Sequence, residues 1–229
     1  MAIFGLYRRY NQWYKPSMPR ASFQQLPLER REEILAVAAE EFAARGFQGT
    51  SYNQLLQRLG IGKSSAYHYF EDKADLFRTA VAERYTKWFQ SLATLKPAST
   101  REDFWRYLFD LNLNGFRFML EDPTAAALMQ CVVQEATSLE RVMGTEQVLD
   151  AIDQDHRMII AMGQQLGAVR TDLPIERLSM ISRAISSAED QAFVREIRRD
   201  GQELVVLRLP ALAQQLTDML RRVFEPAIE

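Results

Sequence analysis

Apolar residues recur with the period of an α-helix along most of this chain, and glycine, proline and capping residues divide the pattern into segments. About nine helices are predicted. Eight cover approximately residues 28–46, 50–60, 62–70, 72–92, 123–138, 145–169, 174–199 and 210–224, and one begins at Thr100 and includes Phe118. Leu204 to Leu209 is the only strand-like run, and it is too isolated to form a sheet. The pattern therefore predicts an all-α protein.

Several helix boundaries carry specific sequence signals. Gly46 stands where a C-terminal glycine would end the first long helix, and Thr50 is positioned to cap the helix that follows. Capping boxes begin at Asp72 and at Thr100, because each is followed three positions later by an aspartate. The Asp122-Pro123 pair combines a capping residue with proline at the first helical position. These signals predict sharply bounded helices.

Residues 50–76 combine two short helices, a glycine-marked turn at Gly60-Ile61-Gly62 and a capped third helix. This arrangement is typical of a helix-turn-helix. The second short helix begins with small hydrogen-bonding residues that suit an approach to phosphates and base edges, and donor-bearing rings follow. The side chains in question are Lys63, Ser64, Ser65, Tyr67, His68 and Tyr69. Phe70 is expected to anchor the helix in its own domain, so the helix is predicted to enter the major groove of DNA.

A set of motif positions in this part of the chain falls in register with a known pattern without a gap. The positions are Gly46-Phe47, Thr50, Leu55, Gly60, Ile61, Lys63, Tyr67, Tyr69, Phe70, Lys73 and Leu76. Over about residues 28–77 the chain thus resembles the DNA-binding domain of the tetracycline-repressor (TetR) family of bacterial transcription regulators. Gly62, Ser64 and Ala66 differ from the residues usual in that family. These differences are expected to change which operator sequence the protein binds, but not its activity as a DNA-binding protein.

The resemblance implies a domain organisation and roles for single residues. A helix-turn-helix domain is expected over 27–72, and a larger helical domain for ligand binding and dimerisation over 73–229. Phosphate contacts are implied for Thr50, Tyr52, Lys63, Tyr69 and Lys73, and positions near the base edges for Ser64, Ser65, Tyr67 and His68. The alternatives are packing for Tyr69 and a merely solvated position for Lys73.

Residues 1–26 have the composition of a basic, flexible N-terminal extension. They contain Arg8, Arg9, Lys15 and Arg20 and no acidic residue. A flexible basic arm can reach phosphates or a minor groove. The alternatives are a loose leader, or an upstream start codon with Met18 as the real beginning.

Charge and cysteine content narrow the class of protein. Residues 1–91 carry a net charge of +4 and the remainder −6. This asymmetry is expected if the first part binds a polyanion and the second part does not contact it. The single cysteine, Cys131, fits a reducing compartment, and no apolar run approaches the roughly 18–20 residues of a membrane span. We therefore expect a cytoplasmic protein with no membrane partner. The resemblance implies that it is bacterial and is associated with the nucleoid when it is bound to DNA.

Two helices near the C-terminus carry apolar residues spaced three and four apart, which suits packing at shallow angles into a four-helix bundle. The predicted dimer interface consists of Leu178, Ile181, Ile185, Ala188, Leu212, Leu216, Met219 and Val223. The alternative is that one of these stripes faces its own domain. The resemblance assigns the corresponding helices to a homodimer, which would place two recognition helices about 34–36 Å apart on a palindromic operator.

Aromatic and methionine side chains of the second part could line an apolar ligand pocket. The candidates are Trp105, Phe109, Phe116, Met129, Met158 and Met162, with plain core packing as the alternative. His156 could orient a polar group of a ligand, or could simply lie at the surface. Two histidines and one cysteine offer no plausible metal cluster, and no cofactor is expected.

The function that the resemblance implies is a homodimeric DNA-binding repressor that an unknown small, largely apolar effector releases. Alternatives are a ligand-insensitive regulator or an activator. An enzyme on a helical scaffold is disfavoured because no Ser-His-Asp set, paired Glu-x-x-His motif or Gly-rich phosphate loop is present. A helical adaptor that binds only protein would leave the polar start of the 62–70 helix unexplained.

Overall fold

The computed structural model describes residues 20–92, 95–137 and 146–226, and this part of the chain contains eleven helices and no strand. They are α1 (Ala21–Gln24), α2 (Leu28–Gly49), α3 (Tyr52–Arg58), α4 (Lys63–Tyr69), α5 (Lys73–Ser91), α6 (Arg101–Glu121), α7 (Pro123–Thr137), α8 (Glu146–Gln165), α9 (Ile175–Asp200), α10 (Gln202–Val206) and α11 (Leu209–Phe224). The predicted all-α class is confirmed. The short helices α1 and α10 are the two that the apolar pattern did not predict.

The boundary between α2 and α3 confirms one sequence signal and corrects another. Gly46 interrupts the helical backbone with φ 70°, as a C-terminal glycine does, although α2 continues to Gly49. The predicted capping role of Thr50 is wrong, because the capping position of α3 is Ser51, which makes no side-chain cap hydrogen bond. The Thr50 hydroxyl instead donates to the Gly46 carbonyl at 2.8 Å, so it stabilises the end of the preceding helix.

The predicted aspartate and threonine caps of the later helices are confirmed. At the start of α5, the N–H of Asp75 donates to Asp72 Oδ1 at 2.7 Å, and the Asp75 carboxylate accepts the N–H of residue 71 at 3.0 Å. The N–H of Asp103 donates to Thr100 Oγ1 at 3.1 Å, and an N–H in the first turn of α7 donates to Asp122 Oδ1 at 2.9 Å. These bonds satisfy backbone donors that the first turn of a helix leaves unpaired.

The helices form two compact units. One contains the described residues of 9–88 and 122–150, and the other contains those of 89–121 and 151–229. In the first unit, α7 packs against α2, and the rings of Phe42 and Phe47 contact Phe77 at centroid distances of 4.9 and 5.3 Å. The functional boundary expected between residues 72 and 73 divides the chain differently and stays a prediction.

The second unit contains α6, α9, α10, α11 and most of α8 around one apolar core. Its buried members include Phe104, Trp105, Phe116, Ile160, Leu178, Phe193, Leu216 and Leu220. The strand-like run at 204–209 forms the short helix α10 and the start of α11. Gly201, with φ 83°, ends α9 just before α10. Val205 and Leu209 are buried, while Leu204, Val206 and Leu207 are exposed. The apolar residues of this run therefore lie on both the buried and the exposed side of a helical turn.

Within the described residues, no helix has both the length and the apolar character that crossing a lipid bilayer requires.

Candidate DNA-binding interface

The turn between α3 and α4 has a backbone geometry that requires glycine. Gly60 has φ 64°, a region that L-residues with a side chain rarely adopt. Its N–H donates to the Gln57 carbonyl at 3.1 Å, and the N–H of Ile61 donates to the Leu56 carbonyl at 2.9 Å. This pair of bonds is the Schellman motif, which closes α3 and reverses the chain into α4. Ile61 is 9% exposed, so it fixes the turn on the underlying core.

Helix α4 is divided into a buried side and an exposed side. Ala66 lies within the helix and Phe70 directly follows it, and both are completely buried. The residues predicted to reach DNA from α4 are exposed, namely Lys63, Ser64, Ser65, Tyr67 and His68, while Tyr69 is half-buried. Tyr67 exposes 56% of its surface, unusual for a large aromatic side chain in so small a domain. The exposed side therefore offers a cation, hydroxyls, a phenol and an imidazole to a partner.

Thr50 and Lys73 occupy internal positions in the structure. Lys73 Nζ donates to the carbonyl of Phe47 at 2.8 Å and to that of Thr50 at 3.0 Å, and it lies 4.3 Å from the centre of the Phe47 ring. The Thr50 side chain is buried, with 2% of its surface exposed. These contacts join the end of α2 to the start of α5. Phosphate contacts of the two residues stay predictions, and the structure adds a structural role for both.

Tyr52 is half-buried at the start of α3. Its hydroxyl has no hydrogen-bond partner among the described residues. Burial, together with the nearby Tyr67, Asp72 and Asp75, raises the pKa of Tyr52 to about 12. The hydroxyl is therefore a protonated donor at neutral pH. Because it lies below the surface, the predicted phosphate contact requires the ring to turn outwards.

Ion pairs that the sequence did not reveal hold α3 against α2. Arg58 pairs with Glu40 at 2.6 Å and with Glu41 at 3.1 Å. Arg30 donates to the Leu59 carbonyl at 2.6 Å and so satisfies the C-terminal end of α3. Glu41 is 9% exposed, and a buried carboxylate is tolerated only with such partners. The helix that precedes α4 is thus held rigidly on α2.

The described part of the predicted flexible extension is folded. Residues 20–26 include helix α1, whose Phe23 is 2% exposed and packs on Phe70 with 4.7 Å between ring centroids. The expectation of flexibility is therefore wrong for this part, because an aromatic side chain buries itself against the end of α4. Arg8, Arg9 and Lys15 lie outside the described residues.

The predicted pocket residues are distributed over the two units. Trp105 and Phe116 are 3% and 2% exposed and belong to the core of the second unit, and Phe109 and Met162 pack against that core from partly buried positions. Met158 is half-buried on α8, and Met129 is half-buried on α7 of the first unit. Core packing thus accounts for Trp105 and Phe116. The ligand pocket stays a prediction.

His156 and Asp190 are titratable groups within the second unit. His156 is half-buried, and its Nδ1 lies 3.0 Å from Ser182 Oγ, so it is not a fully exposed surface histidine. Burial and the nearby Arg183 lower the pKa of His156 to about 4, against the opposing effect of Asp153. Burial raises the pKa of Asp190 to about 7, with a further contribution from Glu189. The contact between His156 and Ser182 and the shifted pKa values of His156 and Asp190 could not be predicted from the sequence.

The residues predicted to form the dimer interface divide into two groups. Leu178 and Leu216 are 0% and 3% exposed and lie in the core of their own chain, which leaves them no surface for a partner. The remaining positions keep accessible surface: Ile181, Ile185, Leu212, Met219 and Val223 are partly buried at the edge of that core, and Ala188 is exposed. An interface on these helices would therefore use the edge positions.

Two short helices around a glycine turn, with an exposed polar face on the second, define a helix-turn-helix DNA-binding protein. In agreement, residues 34–80 match the model of the bacterial regulatory proteins of the tetR family. The chain belongs to the TetR family and is a DNA-binding regulator of transcription.

Relatives among known proteins are transcriptional regulators. The transcriptional repressor AcnR of Corynebacterium efficiens is 28% identical over 163 residues, which cover 67% of this chain and 76% of AcnR. AcnR of Corynebacterium glutamicum is 27% identical over 164 residues, covering 66% and 75%.

Solved structures share the fold over most of the chain. A TetR family regulator from Chloroflexus aurantiacus has a TM-score of 0.67 at 24% identity and covers 92% of this chain and 100% of its own. FadR from Bacillus subtilis, solved in complex with stearoyl-CoA, has a TM-score of 0.65 at 17% identity and covers 82% of this chain and 96% of its own. At these identities the likeness concerns the fold alone.

Proposed function

We propose that this protein is a homodimeric repressor that binds a palindromic operator and is released by a small, largely apolar effector. The observation that carries the DNA-binding part is the division of α4, whose polar face is exposed while Ala66 and the adjacent Phe70 are completely buried. Repression is supported by the two AcnR relatives, which are themselves repressors. The protein would act in the bacterial cytoplasm, at the nucleoid when bound to its operator.

The polar residues of α4 have two different roles in the proposed contact with DNA. Lys63 is exposed at the start of the helix and supplies a cation to the phosphate backbone. Ser64, Ser65, Tyr67 and His68 offer donors and acceptors to base edges in the major groove. The exposed polar face favours DNA over a protein partner, since an adaptor surface would present apolar anchors at its centre.

Homodimerisation is supported by apolar surface along α9, α10 and α11. Ile185, Leu212 and Val223 keep accessible surface at the edge of the core, and Leu204 and Leu207 expose 58% and 77% of theirs. Apolar surface of this kind is a mark of an interaction site. A second copy of this chain is the proposed occupant, because a two-fold axis matches the symmetry of a palindromic operator.

Release by an effector is supported by the composition of the second unit, whose helices combine an apolar core with half-buried polar groups such as His156 and Asp190. Ligand sites in proteins have this composition. FadR shares the fold and binds stearoyl-CoA, so acyl compounds are the first class to test. An effector releases the repressor only if it prefers the conformation that does not bind the operator.

The DNA-binding part is tested by selection from a pool of random duplexes with the full-length protein. We expect a palindromic sequence to be enriched and to bind with strong dependence on salt concentration. Failure to enrich any duplex would overturn the proposed function.

The effector part is tested by titrating fatty acids and acyl-CoA compounds of increasing chain length into the complex with the selected duplex. We expect one class of compound to lower the affinity for DNA while binding the free protein. If every compound that binds the protein leaves its DNA affinity unchanged, release by that class of effector is excluded.

The dimer is tested by analytical ultracentrifugation of the wild type and of Ile185→Glu, with Gln191→Glu as a matched control at an exposed position of α9. We expect a dimer for the wild type and for the control, and a monomer with retained helicity for Ile185→Glu. A wild-type monomer that binds the selected duplex at full affinity would contradict the homodimer.

A further inference from the structure

The backbone before and within α1 contacts the C-terminal end of α4. The N–H of Arg20 donates to the carbonyl of Tyr69 at 3.0 Å, and its guanidinium Nη1 donates to the carbonyl of Tyr67 at 2.6 Å. The hydroxyl of Ser22 donates to the carbonyl of His68. Three consecutive carbonyls of α4 are thus satisfied from one short stretch. Residues 20–23 are called the N-terminal clamp below.

Phe23 fastens the N-terminal clamp to the core. Its side chain is 2% exposed, and its ring lies 4.7 Å from that of Phe70 and 6.2 Å from that of Tyr69. Arg20 by contrast is exposed and Ser22 half-buried. The clamp therefore consists of one apolar anchor and two polar side chains that stay near the surface.

The end of α4 needs such support for a general reason. The last four carbonyls of any helix lack a partner within the helix, and α4 has only seven residues. A helix this short is unstable by itself, so its geometry depends on contacts with its surroundings. Tyr67 and His68, whose side chains are exposed, belong to the part of α4 whose carbonyls the clamp binds.

We propose that Arg20, Ser22 and Phe23 are positioning residues of the DNA-binding site, which raise the affinity for the operator by fixing the end of α4 without touching the bases. The clamp lies outside residues 34–80, which match the family model. The inference rests on the proposed role of α4 as the recognition helix.

A positioning role makes a specific prediction about affinity and specificity. Loss of the clamp should lower affinity for the operator, where Tyr67 and His68 must be oriented, but should leave binding to unrelated duplexes unchanged. Non-specific binding depends on phosphate charges and tolerates a misplaced helix end. A variant that only unfolds part of the protein would instead lower both affinities in proportion and leave their ratio unchanged.

The experiment uses full-length protein, the duplex that the wild type selects from the random pool and a scrambled duplex of the same composition. Ser22→Ala removes a neutral donor, Ser22→Thr restores a hydroxyl, and Gln25→Ala is the control at an exposed position of the same segment. We expect Ser22→Ala to bind the operator roughly three- to tenfold more weakly, the size expected for one hydrogen bond. Ser22→Thr and Gln25→Ala should bind like the wild type, and all should bind the scrambled duplex equally.

Arg20→Met separates positioning from a direct phosphate contact. If Arg20 acts through the Tyr67 carbonyl, Arg20→Met lowers operator affinity without changing the salt dependence of binding. If Arg20 binds a phosphate, the slope of log K against log salt falls by about 0.9, and affinity for the scrambled duplex falls as well. That result, or an operator affinity unchanged in both Ser22→Ala and Arg20→Met, would overturn the positioning role.

Hydrogen exchange gives a second measurement that does not depend on DNA. The N–H of Phe70 bonds to the Ala66 carbonyl at 2.8 Å and reports on the end of α4. We expect faster exchange over residues 66–70 in Ser22→Ala and Arg20→Met than in Gln25→Ala. Unchanged exchange would show that α4 does not need the clamp. A wild type that selects no duplex, together with faster exchange in the variants, would overturn the DNA-binding function while leaving the structural role of the clamp standing.

Discussion

The helix-turn-helix region, α2 to α4, and the helical core of the second unit differ in how far they expose their polar side chains. In the first region the polar side chains of α4 are exposed, and the buried residues around them are mainly apolar. In the second unit, the titratable groups His156 and Asp190 are half-buried, and their pKa values are shifted so that the neutral form is favoured. The first region exposes the polar groups that we propose to contact DNA, and the second unit partly covers its two perturbed groups.

This difference bears on how each region can be recognised. A surface that binds DNA must expose particular residues at fixed helical positions, and so it leaves a motif in the sequence. An interior polar group is defined by what surrounds it, and residues far apart in the chain supply those surroundings. The contrast can be tested by substitutions whose effects separate packing, internal hydrogen bonding, buried charge and surface charge.

Gly163→Ala should give the largest effect, because the core of the second unit is closely packed there. A Cβ at this position would lie 2.4 Å from Val169 Cγ2 and 2.7 Å from Phe104 Cζ. We expect a loss of roughly 1–3 kcal/mol in the free energy of unfolding, as for other overpacked cores. Gly115→Ala is the control, since an added Cβ there has no neighbour within 4 Å. Thermal unfolding measures both; equal stability of the two variants would mean that the core adjusts easily.

Lys73→Met should cause the next largest loss of stability. The substitution tests whether Lys73 is a structural residue rather than a surface lysine. The substitution removes two hydrogen bonds to carbonyls and the contact with the Phe47 ring, so we expect a loss of about 1–2 kcal/mol in stability. Lys63→Met, at an exposed position, should leave the free energy of unfolding unchanged. If both variants are as stable as the wild type, Lys73 has no structural role.

Asp190→Asn tests the buried charge of the second unit. The pKa of Asp190 rises from an ordinary 3.8 to about 7, so the unfolded chain releases this proton at lower pH than the folded chain. Stability is therefore lost as pH rises from about 4 to about 7. We expect the variant to melt at least ~2 °C higher than the wild type at pH 8, with the difference vanishing near pH 4.

His156 provides the control of opposite sign for this pH dependence. Its pKa falls from 6.5 to about 4, so the unfolded chain takes up a proton first as pH decreases, and stability is lost between about pH 6.5 and pH 4. His156→Gln should remove that acid-side loss without changing the behaviour above pH 7. A melting temperature with the same pH profile in both variants and the wild type would show that neither group is buried in solution.

Lys63→Ala should have the smallest effect, confined to DNA binding. As a phosphate contact, Lys63 would contribute to affinity for every sequence, so the variant should weaken binding to operator and scrambled duplexes alike. The slope of log K against log salt should fall by about 0.9. A slope unchanged from the wild type would remove Lys63 from the DNA-binding residues.

The sequence predicted most of the fold because its signals are local. Helical periodicity, the glycine at position 60 and the caps at Asp72 and Thr100 each depend on a few neighbouring residues, and the structure confirms the helices that they bound. The exceptions were short. Helices α1 and α10 have four and five residues, too few to show a period, and they form because Phe23 and Val205 are buried by distant parts of the chain.

Some residues of the candidate site could be predicted from the sequence and others could not, because only local signals are readable in the order of residues. Lys63, Ser64 and Tyr67 followed from the motif, and the structure exposes them. The internal contacts of Lys73 could not be predicted, because they depend on where the Phe47 and Thr50 carbonyls lie in space. The N-terminal clamp could not be predicted, because its only mark in the sequence is one aromatic residue, Phe23, in a mainly polar segment.

The sequence by itself determined that this protein is helical, that it carries a helix-turn-helix and which residues of α4 could face DNA. Only the tertiary structure decided that Thr50 is buried, that Leu178 and Leu216 belong to the core of their own chain, and that His156 contacts Ser182. Local geometry depends on covalent neighbours and can be predicted from the order of residues. Burial depends on which helix faces meet, and it therefore becomes known only when the whole chain is packed.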